Sequence, residues 1–227
     1  MSRLRALGVD ISHWQGSPDF TKMKNAGATF VYCKASQNQW EDDTFRTNWA
    51  AAKEAGLLRG AYHFYDMRSG SKSPKEQAEF FSNVLAEDPG ELLPALDFES
   101  PGVGDYPDYP SVSECQTIVH QFSDRIRKNL GVLPMVYTNL AGIQRLSPLT
   151  DLIGSLDLWI AWYNVNSHYP KIGDWPQWRF WQYKSTGDGY AFGVQSKGLD
   201  MNAFNGTVED LYDYANGLHL SKRVLKL

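Results

Sequence analysis

The chain is poor in the residues that bind metals or cross-link small domains: its 227 residues include only two cysteines and five histidines. The histidines (His13, His63, His120, His168 and His219) are scattered without HxxxH or CxxC spacing, so no metal site is expected. Cys33 lies in the strand-like run FVYCKAS and Cys115 opens a helical stretch, so they read as two core thiols rather than a disulfide. No run is apolar enough for a membrane span. The start, MSRLRALGVDIS, passes straight into a strand and lacks the apolar core of a recognisable signal peptide. Positive charge is not in excess either. The formal net charge is -4 and no basic stripe appears, which argues against nucleic acid as a partner. What the chain does have is aromatic rings, 14% of residues with 8 Trp and 12 Tyr. Most should be core, but flat rings also match the apolar face of a pyranose.

Strand-like and helix-like runs alternate through the first two thirds, as in βαβ units with a parallel sheet. Five units are expected, with strands near residues 6–11, at TFVYCKAS, at LRGAYHFY, at LPALDFE and at VLPMVYT. Helices follow each strand. Ser73 with Pro74, and Ser111 or Ser113, supply N-terminal caps. After the fifth unit, LDLWIAWY, WRFWQYKS and GLDMNAF come too close together for crossover helices, and loops between them favour antiparallel over parallel neighbours. The expected fold class is therefore α/β, an irregular TIM-like β/α barrel of five βα units followed by three closing strands. Residues 1–208 would form the barrel and 209–227 a helical tail packed on the same domain.

The densest chemistry lies in Leu96-Asp97-Phe98-Glu99. Residues two apart on a strand share a face, so Asp97 and Glu99 project together while Leu96 and Phe98 pack behind. Burying two like charges side by side is costly. Such a pair suits one protonated and one ionised carboxyl, the division of labour that cleaves glycosidic bonds. The alternative is a solvated acidic face on an edge strand. Asp10 in GVDIS and Asp200 in GLDMN are each weak signals, since a lone Asp at a strand end usually serves a turn. Together the four acids are what a barrel needs to gather carboxylates at one mouth.

The ordered strings GVDISHWQG, FVYCKAS, AAKEAGLLRGAYHFY, LPALDFE, MVYTN, LWIAWY, WQY and GLDMNAFNG resemble the family 25 glycoside hydrolases. These are the Chalaropsis-type lysozymes, which include phage and bacterial lysins. The resemblance spans most of the chain. It implies an irregular β/α barrel that cleaves the β-1,4 bond between N-acetylmuramic acid and N-acetylglucosamine in peptidoglycan, with no cofactor. By that resemblance Glu99 is the general acid and Asp97 its partner. Asp10 and Asp200 flank them, and Tyr62, Tyr137, Trp162 and Gln182 line the substrate. Asp97 could attack the anomeric carbon or assist the substrate's own 2-acetamido group, and spacing on a strand does not choose between them. The chain departs from a common family pattern at Gln37, where many members carry an acid, and no separate wall-binding module is expected. Two other readings remain. A family 18 chitinase-like barrel would need an acid where Ala95 stands, and a barrel that binds glycans without cutting them would need no acid pair.

Overall fold

The computed structural model describes residues 4–99, 110–164 and 169–224, with 219–224 described by backbone only. The loop expected after the fourth strand, His168 and the basic end of the tail lie outside the residues so described. The chain opens with β1 (Leu7–Ile11), a 3-10 turn (His13–Gln15) and α1 (Phe20–Asn25), then β2 (Ala28–Gln37), the two-residue β3 (Trp40–Glu41) and α2 (Phe45–Glu54). Next come β4 (Leu58–Phe64), α3 (Pro74–Leu85), β5 (Ala95–Asp97), α4 (Val112–Leu130) and β6 (Met135–Asn139). The remainder is α5 (Leu140–Leu146), α6 (Asp151–Ser155), β7 (Leu158–Ala161), β8 (Phe180–Lys184), β9 (Asp200–Phe204) and α7 (Val208–Val224).

Eight strands close into a barrel in the order β1-β9-β8-β7-β6-β5-β4-β2, with β1 and β2 paired to seal it; β3 hangs outside on β2. All barrel neighbours run parallel except β9, which is antiparallel to β8 and β1. This corrects one expectation from the sequence. The last strands were expected to be joined antiparallel, yet β7 pairs parallel with both β6 and β8. Two short helices, α5 and α6, carry the crossover into β7, and the 162–179 connection, with no helix among its described residues, is long enough to cross over.

Alternation along the strands builds two cores. Phe30, Tyr32, Met135, Trp159, Phe180 and Phe204 point inward and fill the barrel. Their neighbours Val31, Cys33, Leu96, Val136 and Ile160 point outward and pack under the helices, against Phe81, Phe122 and Ile126. Cys33 and Cys115 are both buried with no disulfide between them. Helix starts follow local chemistry: Ser73 and Ser111 each form a capping box, with Glu76 and Glu114. Buried Leu211 and Ala215 seat α7 against the inner core. No helix among the described residues is long and apolar enough to cross a membrane.

Candidate active site

Each strand delivers side chains to the barrel mouth in steps of two. On β5, Ala95 packs inside, Asp97 is next on that face, and Glu99 follows beyond the strand's end. The segment carrying Glu99 is nonetheless clamped. The Phe98 N–H donates to Tyr137 O at 2.9 Å, and Phe98 O accepts from Thr138 Oγ1 at 2.6 Å. The start of α5 must come close for this, and a Cβ on Gly142 would stand only 1.9 Å from Thr138 Oγ1. Phe98 itself is fully buried on the outward side, so Asp97 and Glu99 are both turned to the mouth.

Asp10, Asp97, Glu99 and Asp200 line one open cavity of about 310 Å³, together with Tyr62, Tyr137 and Gln182. Asp10 and Asp200 are direct cross-strand partners between β1 and β9, because the barrel's one antiparallel strand presents its first residue near the end of β1. Trp162 is the exception among the expected residues. It does not line the cavity but packs against the outer core, and Tyr163 takes the place in the cleft. The alternation on β7 explains this: Trp159 and Ala161 face in, so the next inward residue is Tyr163. The same count from Tyr32 on β2 finds Lys34, a lining residue the sequence reading missed.

A hydrogen-bonded chain fixes one wall. Asp10 Oδ2 accepts from Gln182 Nε2 at 2.8 Å and from Asn202 Nδ2 at 2.7 Å. Gln182 Oε1 in turn accepts from Tyr137 Oη at 2.9 Å and from the Tyr163 hydroxyl, and Asn202 Oδ1 accepts from Trp159 Nε1 at 2.8 Å. Every polar atom of the Gln182 amide is used, so its orientation follows from its partners. On β2, the neighbour of β1, Lys34 Nζ donates to Gln37 Oε1 at 2.8 Å and sits over the rings of Trp40 and Phe64, 4.9 and 5.1 Å from their centroids. Asp97 differs from these residues. Its Oδ1 is buried and has no hydrogen-bond partner among the described residues.

Four carboxyls facing one ammonium hold protons tightly. Burial raises Asp97 well above the carboxylate range, and the charges of Glu99 and Asp10 push it further, against the pull of Lys34. Burial, with help from Asp10, also raises Glu99. Burial lifts Asp10 from 3.8 to about 6 despite the donors Gln182 and Asn202. Asp200 goes from 3.8 to about 8 through burial first, then Asp10 and Glu99. Burial and mutual repulsion therefore hold protons on this cluster to higher pH than on free carboxyls.

These raised values make a stability prediction. A carboxyl whose folded pKa exceeds its unfolded value costs nothing below the unfolded value. Its cost grows as pH rises toward the folded value. Asp200→Asn should therefore leave the melting temperature unchanged near pH 3.5 and raise it increasingly between pH 4 and 8. Thermal melts across that range check this; an equal shift at every pH would show that charge is not the cause.

A family model described as Glycosyl hydrolases family 25 matches residues 9–190. Lysozyme M1 of Streptomyces globisporus is 31% identical over 214 residues, 92% of this chain and 71% of that protein. An N,O-diacetylmuramidase of Arthroderma benhamiae is 30% identical over 216 residues, 92% of this chain and 86% of that one. Among solved structures, the bacterial lysozyme from Streptomyces coelicolor matches with a TM-score of 0.79 at 30% identity, covering 94% of this chain and 98% of that one.

Proposed function

The chain belongs to glycosyl hydrolase family 25, and from that membership we infer that it is a muramidase acting on the bacterial cell wall. It hydrolyses the β-1,4 bond between N-acetylmuramic acid and N-acetylglucosamine in peptidoglycan. Glu99 is the general acid. It is the less buried of the central pair and sits past the strand end, where it can reach a glycosidic oxygen lying across the mouth. Asp97 lies deeper and is only 5% exposed. Without substrate the two carboxyls share a proton. When positive charge develops on the sugar above Asp97, that charge favours an ionised Asp97 and leaves the proton on Glu99 for the departing oxygen.

The observation that carries this reading is the unpartnered Oδ1 of Asp97. A buried carboxylate oxygen without a donor is costly, and an N-acetyl sugar brings the missing donor in its amide N–H. Asp97 would accept that N–H and orient the acetamido oxygen toward the anomeric carbon, so the substrate supplies its own nucleophile. Asp10 then serves to hold Gln182 and Asn202, and Asp200 closes the acidic wall. Digestion of purified sacculi, borohydride reduction and mass spectrometry of the fragments test the bond assignment. Muramitol at the new ends supports it. Glucosaminitol would reject it.

A further inference from the structure

The most exposed aromatic residue on the described surface is Trp14, 79% exposed, in the turn that follows β1. It lines the same cavity as the acids. An indole left in water contributes nothing to the core, and this turn does not need it for its shape. Ser12 N–H donates to Gln15 Oε1 at 2.9 Å, Trp14 N–H donates to Ser12 Oγ at 3.3 Å, and Gly16 takes a positive φ of 63° to end the turn. Asn48 Nδ2 then ties Gly16 O to α2 at 3.0 Å. The backbone is thus held from both ends by groups other than the indole.

The ring is also oriented. His13 lies against Trp14 with ring centroids 4.7 Å apart and planes inclined by 38°. His13 is itself anchored on buried Asp42, through Nδ1 at 2.7 Å and through its backbone N–H at 3.2 Å, while Thr44 Oγ1 fills the other Asp42 oxygen at 2.8 Å. One flank of the indole therefore rests on a fixed imidazole, and its large exposure leaves the rest of its surface to the cleft. Around the barrel β1 is separated from β5 by β2 and β4, so Trp14 rises from a different wall than the one carrying Asp97 and Glu99. A rigid, unburied aromatic platform beside a carboxylate pair matches a pyranose, whose C–H face is apolar and whose edge is polar.

We propose that Trp14 is the stacking platform for a sugar ring of the glycan strand, and that the His13–Asp42 pair positions it. This rests on the muramidase reading and adds the residue that grips the strand during cleavage. Stacking acts before and during the reaction alike, so its loss raises KM and leaves kcat at saturation nearly unchanged.

The test is calorimetric binding of a soluble tetrasaccharide of alternating N-acetylglucosamine and N-acetylmuramic acid to Glu99→Gln, alone and with Trp14 replaced. Trp14→Ala should weaken binding by about tenfold, the scale of one lost ring contact. Trp14→Phe and Trp14→Tyr should recover most of it, and none should change the melting temperature, because the side chain is solvent-exposed. In the otherwise unmodified chain, Trp14→Ala should raise KM by a similar factor. Unchanged affinity in Trp14→Ala, or equal loss in the alanine and aromatic variants, would overturn the platform. Failure of Glu99→Gln to bind the tetrasaccharide at all would overturn the platform and the muramidase reading together.

Discussion

Glu99→Gln is expected to lose about a hundredfold or more of its hydrolytic rate, the usual scale for removal of a general acid. The amide keeps the size of the carboxyl but carries no proton that it can give to a leaving oxygen. Binding should survive, since the residues forming the hydrogen-bonded wall do not include Glu99. The fold should also survive. Glu99 lies beyond β5, and its segment is held through the backbone of Phe98. Initial rates on purified sacculi with a parallel thermal melt decide the point: turnover within a few-fold of the parent chain would remove Glu99 from the chemistry.

Asp97→Asn should be impaired to a comparable degree, on the order of a hundredfold to a thousandfold, because it removes the carboxylate proposed to ionise as positive charge develops on the sugar. The amide would also place an N–H₂ where the substrate's amide N–H needs an acceptor. Its effect on stability runs the other way: Asp97 is raised by burial first and by Glu99 and Asp10 next, so a neutral replacement relieves like-charge repulsion. A variant that melts higher and cuts far more slowly is the expected combination. Asp10→Asn should lose less activity than Asp97→Asn, as Asp10 acts through Gln182 and Asn202. The reverse ranking would mean that Asp10, not Asp97, faces the reacting carbon.

The barrel was readable in the sequence where local and tertiary signals agree. Ser73 with Glu76, and Ser111 with Glu114, announce helix starts by side-chain chemistry alone, and both boxes form. Asp97 and Glu99 were readable for a similar reason, because two acids in an apolar strand have few other uses. The direction of the closing strands was less accessible. Nothing in the 162–179 connection has helical periodicity, and whether such a stretch turns back or crosses over depends on the far side of the barrel. Trp162 was misplaced for want of one step of counting: β7 fixes its inward positions through Trp159, and the odd-numbered residues continue to Tyr163. Lys34 escaped notice because a lysine between strand residues reads as solvent-facing. Only barrel closure turns that face inward, toward the acids.

The chemistry proposed for Asp97 has a stereochemical signature. Assistance by the acetamido group inverts the anomeric centre twice, so the first product keeps the β configuration. Proton NMR of a muropeptide substrate during the first minutes of digestion, before mutarotation, reads this directly. The β anomer of N-acetylmuramic acid should appear first, and a substrate lacking the N-acetyl group on that sugar should be cut poorly even where it binds. An α anomer appearing first would contradict the assignment and make Asp97 a base that activates water.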